Sequence, residues 1–179
     1  MRPRLLAILV ALAGLVASPI LPFSWCPSPC PLPSGERVLE AAEALTGVVV
    51  KLVDGDTVWV RLADRVEKVR YIGVDTPEVH HPTRGEEPGG REAAEVNRRL
   101  VDGKTVRLEP DVQLRDRYGR LLAYVWVKGN DGRELMVNAE LVRLGYARIM
   151  TVPPNVRHVE MLRKLQVDAR EHHRGLWAE

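Results

Sequence analysis

From about residue 45 the chain settles into short stretches where apolar and polar side chains alternate, the period of a strand with one buried face. Thr46–Val53 is β-branched and apolar. In Asp56–Leu62 the side chains of Val58, Val60 and Leu62 fall on one side and those of Thr57, Trp59 and Arg61 on the other. Glu67–Val74 reads as a third strand, and Ala63–Val66 before it is short enough for a hairpin connection. The period then lengthens. Ala93, Val96 and Leu100 share one stripe of a helix over Arg91–Val101, with Gly103 just past its end. Thr105–Glu109 and Leu121–Val127 return to strand, joined through the turn Arg115–Arg120. Val137, Leu141 and Leu144 have helical spacing, stopped by Gly145. A longer helix is predicted from about Asn155 to His173, with Val159, Leu162, Leu165 and Ala169 inward and Gly175 beyond it.

Five strands, one helix between the third and fourth and two helices trailing, is the order expected of an α+β fold built on a five-stranded OB-type β-barrel with three α-helices. Composition alone also permits other α+β arrangements. The 45% hydrophobic and 28% charged content is that of an ordinary globular chain, and 179 residues suffice for one cored domain plus an extension. We place that domain at 45–179.

The extension has its own pattern. Arg2 and Arg4 precede Leu5–Ala17, an unbroken run of apolar or small residues followed by Ser18, the signature of an export signal over residues 1–18. The alternative is a retained membrane anchor, since no charge occurs from Leu5 to Phe23; Pro19 and Pro22 argue against a spanning helix. Either way the domain is expected outside the cytoplasm, secreted or anchored to the membrane. Residues 19–44 form a linker, proline-rich over 19–35, of extended, semi-rigid character. Cys26 and Cys30 lie in it, with a local disulfide or a lipid on Cys26 as options and a plain tether the simplest reading.

Net charge is only +2, and residues 1–44 hold three charges of each sign, so the domain keeps the same small balance. A broadly basic nucleic-acid binder is therefore excluded; any grip on phosphates has to be local. Candidates for that grip are concentrated. Lys51–Val58 contains Asp54-Gly-Asp56, Arg70–Glu78 contains Arg70, Asp75, Thr76 and Glu78, and Arg115–Arg120 adds further arginines. If the hairpin folds about residues 64–65, position 56 faces 73 or 74, which sets Asp56 beside Asp75. Two carboxylates there, with the Thr76 carbonyl before the extended Pro77, suit a hard cation such as calcium, held weakly because water and substrate must complete its shell. Asp54 can act from behind. Glu78 is placed to take a proton from water, and Arg70 and Arg120 to hold a phosphate by paired hydrogen bonds. Taken singly, Asp-Gly-Asp is a turn and each arginine a surface residue; only the grouping points to phosphodiester cleavage.

Val53-Asp-Gly-Asp-Thr-Val58, Arg70 with Val74-Asp-Thr-Pro-Glu78, Asp116-Arg-Tyr-Gly-Arg-Leu-Leu-Ala-Tyr124 and Val137-Asn-Ala-Glu-Leu-Val-Arg-Leu-Gly145 together resemble the staphylococcal nuclease, or thermonuclease, family, in order and from about Thr46 to Trp177. The resemblance implies an OB-fold barrel with three helices and a calcium-dependent, sugar-non-specific endonuclease; a monomer is expected. It implies cleavage of P–O5′ bonds of DNA and RNA, single-stranded or locally melted, leaving 3′-phosphates. It assigns metal ligation to Asp56, Asp75 and the Thr76 carbonyl, catalysis to Arg70, Glu78 and Arg120, and substrate binding to Arg84, Arg117 and Tyr118. The chain departs from the family at Met150-Thr-Val-Pro-Pro154, where Thr151 and Pro153 are expected in place of two pocket tyrosines. The competing reading is a catalytically inactive OB-fold module binding nucleic acid or protein. His80, His81, His158, His172 and His173 form no zinc pattern and are read as surface or structural; Trp59, Trp126 and Trp177 are read as packing residues.

Overall fold

A computed structural model describes residues 45–79, 85–129 and 132–178. The expected signal and linker with Cys26 and Cys30, together with His80, His81 and Arg84, lie outside the described residues.

Strands β1 (Leu45–Leu52), β2 (Thr57–Arg61) and β3 (Val66–Tyr71) form an antiparallel meander. After a two-residue strand β4 (Val74–Asp75) comes helix α1 (Gly90–Val101), then β5 (Thr105–Glu109) and β6 (Leu121–Lys128). β5 pairs antiparallel with both β1 and β6, and β6 pairs parallel with β3. That last pairing closes β1-β2-β3-β6-β5 into a five-stranded barrel, the α+β OB-type fold expected from the element order. β7 (Glu134–Met136) extends β6 and runs directly into α2 (Val137–Arg143); β8 (Arg148–Ile149), α3 (Val159–Glu171) and a single 3₁₀ turn (Gly175–Trp177) complete the order.

Alternation explains the core. Val58, Val60, Val69, Val106, Leu108, Ala123 and Val125 are fully buried inside the barrel, and Val137, Leu141 and Val142 of α2 and Leu162 of α3 join the same cluster. Asn97 of α1, on the buried stripe, accepts the Tyr71 hydroxyl at 3.0 Å and donates to the Asp54 carbonyl at 3.2 Å. A polar side chain inside is tolerated here because both of its ends are bonded.

The third strand differs from its expected extent. It stops at Tyr71, because Ile72 and Gly73 form a reversal with Gly73 at φ +80°, and Val74–Asp75 leaves the barrel to pair with Arg148–Ile149 of β8. The hairpin register also differs: Thr57 pairs with Arg70, so Asp56 lies opposite Tyr71 rather than residue 73 or 74. α3 begins at Val159, later than the apolar spacing suggested, because the Asn155 side chain is engaged with the backbone of Gln113, accepting its N–H at 2.7 Å and donating to its carbonyl at 2.8 Å.

Asn138, fully buried, holds the reversal to the barrel. Its Oδ1 accepts Val125 N–H at 2.9 Å and its Nδ2 donates to the Ile72 carbonyl at 2.8 Å. Asn138→Ala strands both buried backbone groups, so stability is expected to fall by about 2–4 kcal/mol, read from urea unfolding.

Candidate active site

The loop between β1 and β2 is tied down before it presents any side chain. Val53 and Asp54 N–H groups both donate to the Thr57 carbonyl, at 2.9 and 3.3 Å, and Asp56 N–H donates to Asp54 Oδ1 at 3.2 Å. Asp56 is thereby turned inward and is 4% exposed. Its Oδ1 accepts the Thr57 hydroxyl at 3.0 Å and its Oδ2 the Thr76 N–H at 3.0 Å. Asp56 and Thr76 are thus neighbours across twenty residues, brought together by the Gly73 reversal and not by simple hairpin pairing.

Arg70 joins the second carboxylate. It ion-pairs with Asp56 through Nη1 and donates from Nη2 to Asp75 Oδ1 at 2.8 Å. Asp75 itself is exposed, while the Arg70 side chain is only 13% exposed. Burial pulls the Arg70 guanidinium below its ordinary value, opposed by Asp75 and Asp54; arginine nevertheless stays charged at working pH. Burial likewise raises the Asp54 carboxyl above its usual range, with Arg70 the main influence against it.

Arg120 ends the turn that precedes β6. Asp116 is its holder: Oδ2 accepts Arg120 Nε at 2.6 Å, and Oδ1 accepts the Tyr118 and Arg120 N–H groups at 2.9 and 3.0 Å. Burial raises the Asp116 carboxyl, but these bonds outweigh it and keep the group below its ordinary value. The Arg117 and Arg120 guanidiniums lie 4.8 and 5.4 Å from the Tyr118 ring centre, and Arg117 Nη2 donates to the Tyr118 hydroxyl at 2.6 Å. Arg70, Arg117, Tyr118 and Arg120 line one cleft of about 400 Å³.

The same cleft is also lined by Met150, Val152 and Asn155. Thr151 and Pro153, expected in place of two pocket tyrosines, are exposed residues of this same segment. Met150 N–H bonds the Gly73 carbonyl at 3.1 Å, which ties this segment to the reversal, and both Met150 and Val152 are exposed. Glu78 is exposed on the segment after Pro77; its N–H donates to Glu87 Oε2 at 3.2 Å and its carbonyl accepts Glu87 N–H at 2.9 Å. Arg84 is outside the described residues.

The donors near Arg70 are all oxygen. Among the described residues no group of three or more His, Cys, Asp and Glu side chains gathers, so any metal would rely on two carboxylates, backbone and added ligands. Such a set suits a hard divalent ion and not zinc. The two carboxylates already converge on one cationic group, the Arg70 guanidinium, which is the geometry that sharing a cation requires.

A family model described as Staphylococcal nuclease homologue matches residues 68–179. The thermonuclease of Staphylococcus hyicus is 38% identical over 140 residues, covering 78% of this chain and 80% of that protein. The chain belongs to the staphylococcal nuclease family. The thermonuclease of Staphylococcus intermedius is 36% identical over 130 residues, 73% of this chain and 74% of its own length. Endonuclease YncB of Bacillus subtilis (strain 168) is 34% identical over 130 residues, with coverage of 72% and 60%.

Sequence reasoning for this family member named no role for Asp116 or Asn97, and named the 150–154 segment without Met150 or Val152 as lining residues. Asp116 had a visible signal: Asp two residues before an Asp-x-x-Gly turn's apex favours backbone capping. Gly55 also escaped notice. A Cβ there would meet Thr76 Oγ1 at 2.7 Å, so Gly55→Ala is expected to push Thr76 aside and to cost about 1–3 kcal/mol in thermal unfolding.

Proposed function

We propose that this protein is a calcium-dependent nuclease that hydrolyses phosphodiester bonds of DNA and RNA. One observation carries the reading: Arg70 grips both Asp56 and Asp75 while lining, with Arg120, a single cleft. Relatives named thermonuclease and endonuclease support the reaction class.

In this reading Asp56, Asp75 and the Thr76 carbonyl hold calcium, as their oxygen-only chemistry suits. What the ion supplies there is positive charge beside the phosphoryl oxygens. Arg70 and Arg120 bind those oxygens from flanking directions, each offering paired N–H donors that lysine lacks. Asp116 keeps Arg120 extended toward the cleft, so little ordering is left for the moment of reaction. Glu78 accepts a proton from the water that attacks phosphorus in line. The P–O5′ bond then breaks, the leaving oxygen takes a proton, and the other fragment keeps a 3′-phosphate. The Glu87 bonds fix the backbone of Glu78 on the segment after Pro77. Tyr118, with Arg117 beside it and Met150 and Val152 in the same cleft, flanks the sugar and base; Arg84 contributes phosphate contact.

The full chain incubated with single-stranded DNA in calcium is expected to cut it, and excess chelator to stop cutting. No chelator-sensitive cleavage over a range of pH would remove this reading in favour of a binding module. Glu78→Ser is expected to lower kcat by about 10²–10⁴-fold with unchanged circular dichroism. Arg70→Lys and Arg120→Lys are each expected to lose about 10²–10³-fold. We also propose that residues 1–18 direct export and that 19–44 tether the domain; an N-terminal sequence of native protein that begins at Met1 would contradict cleavage.

A further inference from the structure

The two arginines of the cleft belong to different elements, and something has to set their spacing. Arg70 lies on β3; Arg120 closes the turn leading into β6. The strands are tied at the base of the turn, where Arg70 pairs with Leu122, and Arg115 forms a bridge with Leu121. Asp116 braces the turn internally but makes no bond to β3.

A side-chain link runs between the two. Glu67, three residues before Arg70 on β3, accepts Arg115 Nη1 on Oε2 at 2.9 Å and Arg115 Nη2 on Oε1 at 2.7 Å. The same Nη1 donates to the Gly119 carbonyl at 2.8 Å, next to Arg120. Arg65 Nε adds a bond to Glu67 Oε1 at 2.7 Å. The Glu67 side chain is 12% exposed, so this fork is partly sheltered and not a loose surface contact. Arg115 also lowers the Glu67 carboxyl below its ordinary value, and the pair is charged at neutral pH.

We infer that Glu67 and Arg115 are positioning residues that fix the distance between the Arg70 and Arg120 guanidiniums. Arg115 reaches from β3 to the apex of the turn, so loss of the fork frees the turn to swing about its base. The inference rests on Arg70 and Arg120 being the phosphate grip. The Arg115 end of the pair is exposed and Arg65 stays on Glu67, so the fold survives removal of this one fork.

The test measures kcat and KM of the full chain on a single-stranded DNA oligonucleotide with calcium, for Glu67→Gln and Arg115→Lys, each alone and combined with Arg120→Lys. Arg115→Lys keeps the charge but not the fork, and decides the matter if Glu67→Gln folds poorly. Either variant is expected to lower kcat by about ten- to a hundredfold, with KM much less affected. In the Arg120→Lys background the same change is expected to shrink to less than about twofold, because the spacing no longer matters. The charge reversal Glu67→Arg with Arg115→Glu is expected to recover much of the lost rate. Wild-type kcat in both single variants, or an equal loss in both backgrounds, overturns the positioning role. Wild-type turnover in Arg120→Lys alone instead overturns the grip on which the inference stands.

Discussion

The reversal at Ile72-Gly73 is the constraint on which the site depends. A β3 that ran straight on would carry Asp75 away from Asp56. The reversal needs a residue at φ +80° with no side chain, since a Cβ on Gly73 would meet Leu162 Cδ1 at 2.8 Å. Three separate elements then hold it. β6 accepts the Ile72 N–H through the Ala123 carbonyl at 3.0 Å, α2 donates to the Ile72 carbonyl from Asn138, and the segment after β8 donates to Gly73 from Met150. Barrel, helix and cleft wall therefore meet at one dipeptide, and a shift in any of them is felt at Asp75 and Thr76.

Much of this was legible beforehand, for a physical reason. Apolar alternation reports which face of a strand is buried, and it located β1, β2, β5 and β6 to within a residue or so at their ends. It could not report where β3 stops, because Ile72 and Val74 continue the apolar pattern while the backbone turns between them. The pairing of Asp56 with Asp75 was anticipated through a hairpin register that the chain does not adopt. The two routes agree in outcome because both bring strand ends together, and they differ in cause. β4 and β8 were invisible for another reason: two-residue strands have no period. Polar residues that bridge backbone groups, such as Asn138 and Asn155, are equally silent in a sequence, where asparagine reads as a turn former.

Electrostatics accounts for the site's unusual economy. The chain is nearly neutral, yet it buries Asp56 and most of Arg70 side by side. Burying either alone is costly, and each offsets the desolvation of the other. The arrangement leaves Asp75 facing solvent with one oxygen on Arg70. Under the proposed reading a divalent ion approaching Asp75 competes for carboxylates that already share one cation. Tight binding of the free ion is then unfavourable, and a phosphate that draws Arg70 toward itself relieves the competition. Substrate and ion would each make room for the other.

The cleft wall extends the argument from chemistry to selectivity. Tyr118 offers an aromatic ring with two guanidiniums beside it, whereas Met150 and Val152, in the same cleft, offer only aliphatic surface. An aromatic on both sides would hold a base by stacking, at about 1–3 kcal/mol per base. Aliphatic contacts are less dependent on ring orientation, and methionine adapts its shape. Under the proposed reading, a base entering here stacks on Tyr118 and meets only aliphatic side chains besides. Discrimination between bases then has few groups to act through, and the hold on substrate passes to the arginines and the backbone phosphates they face.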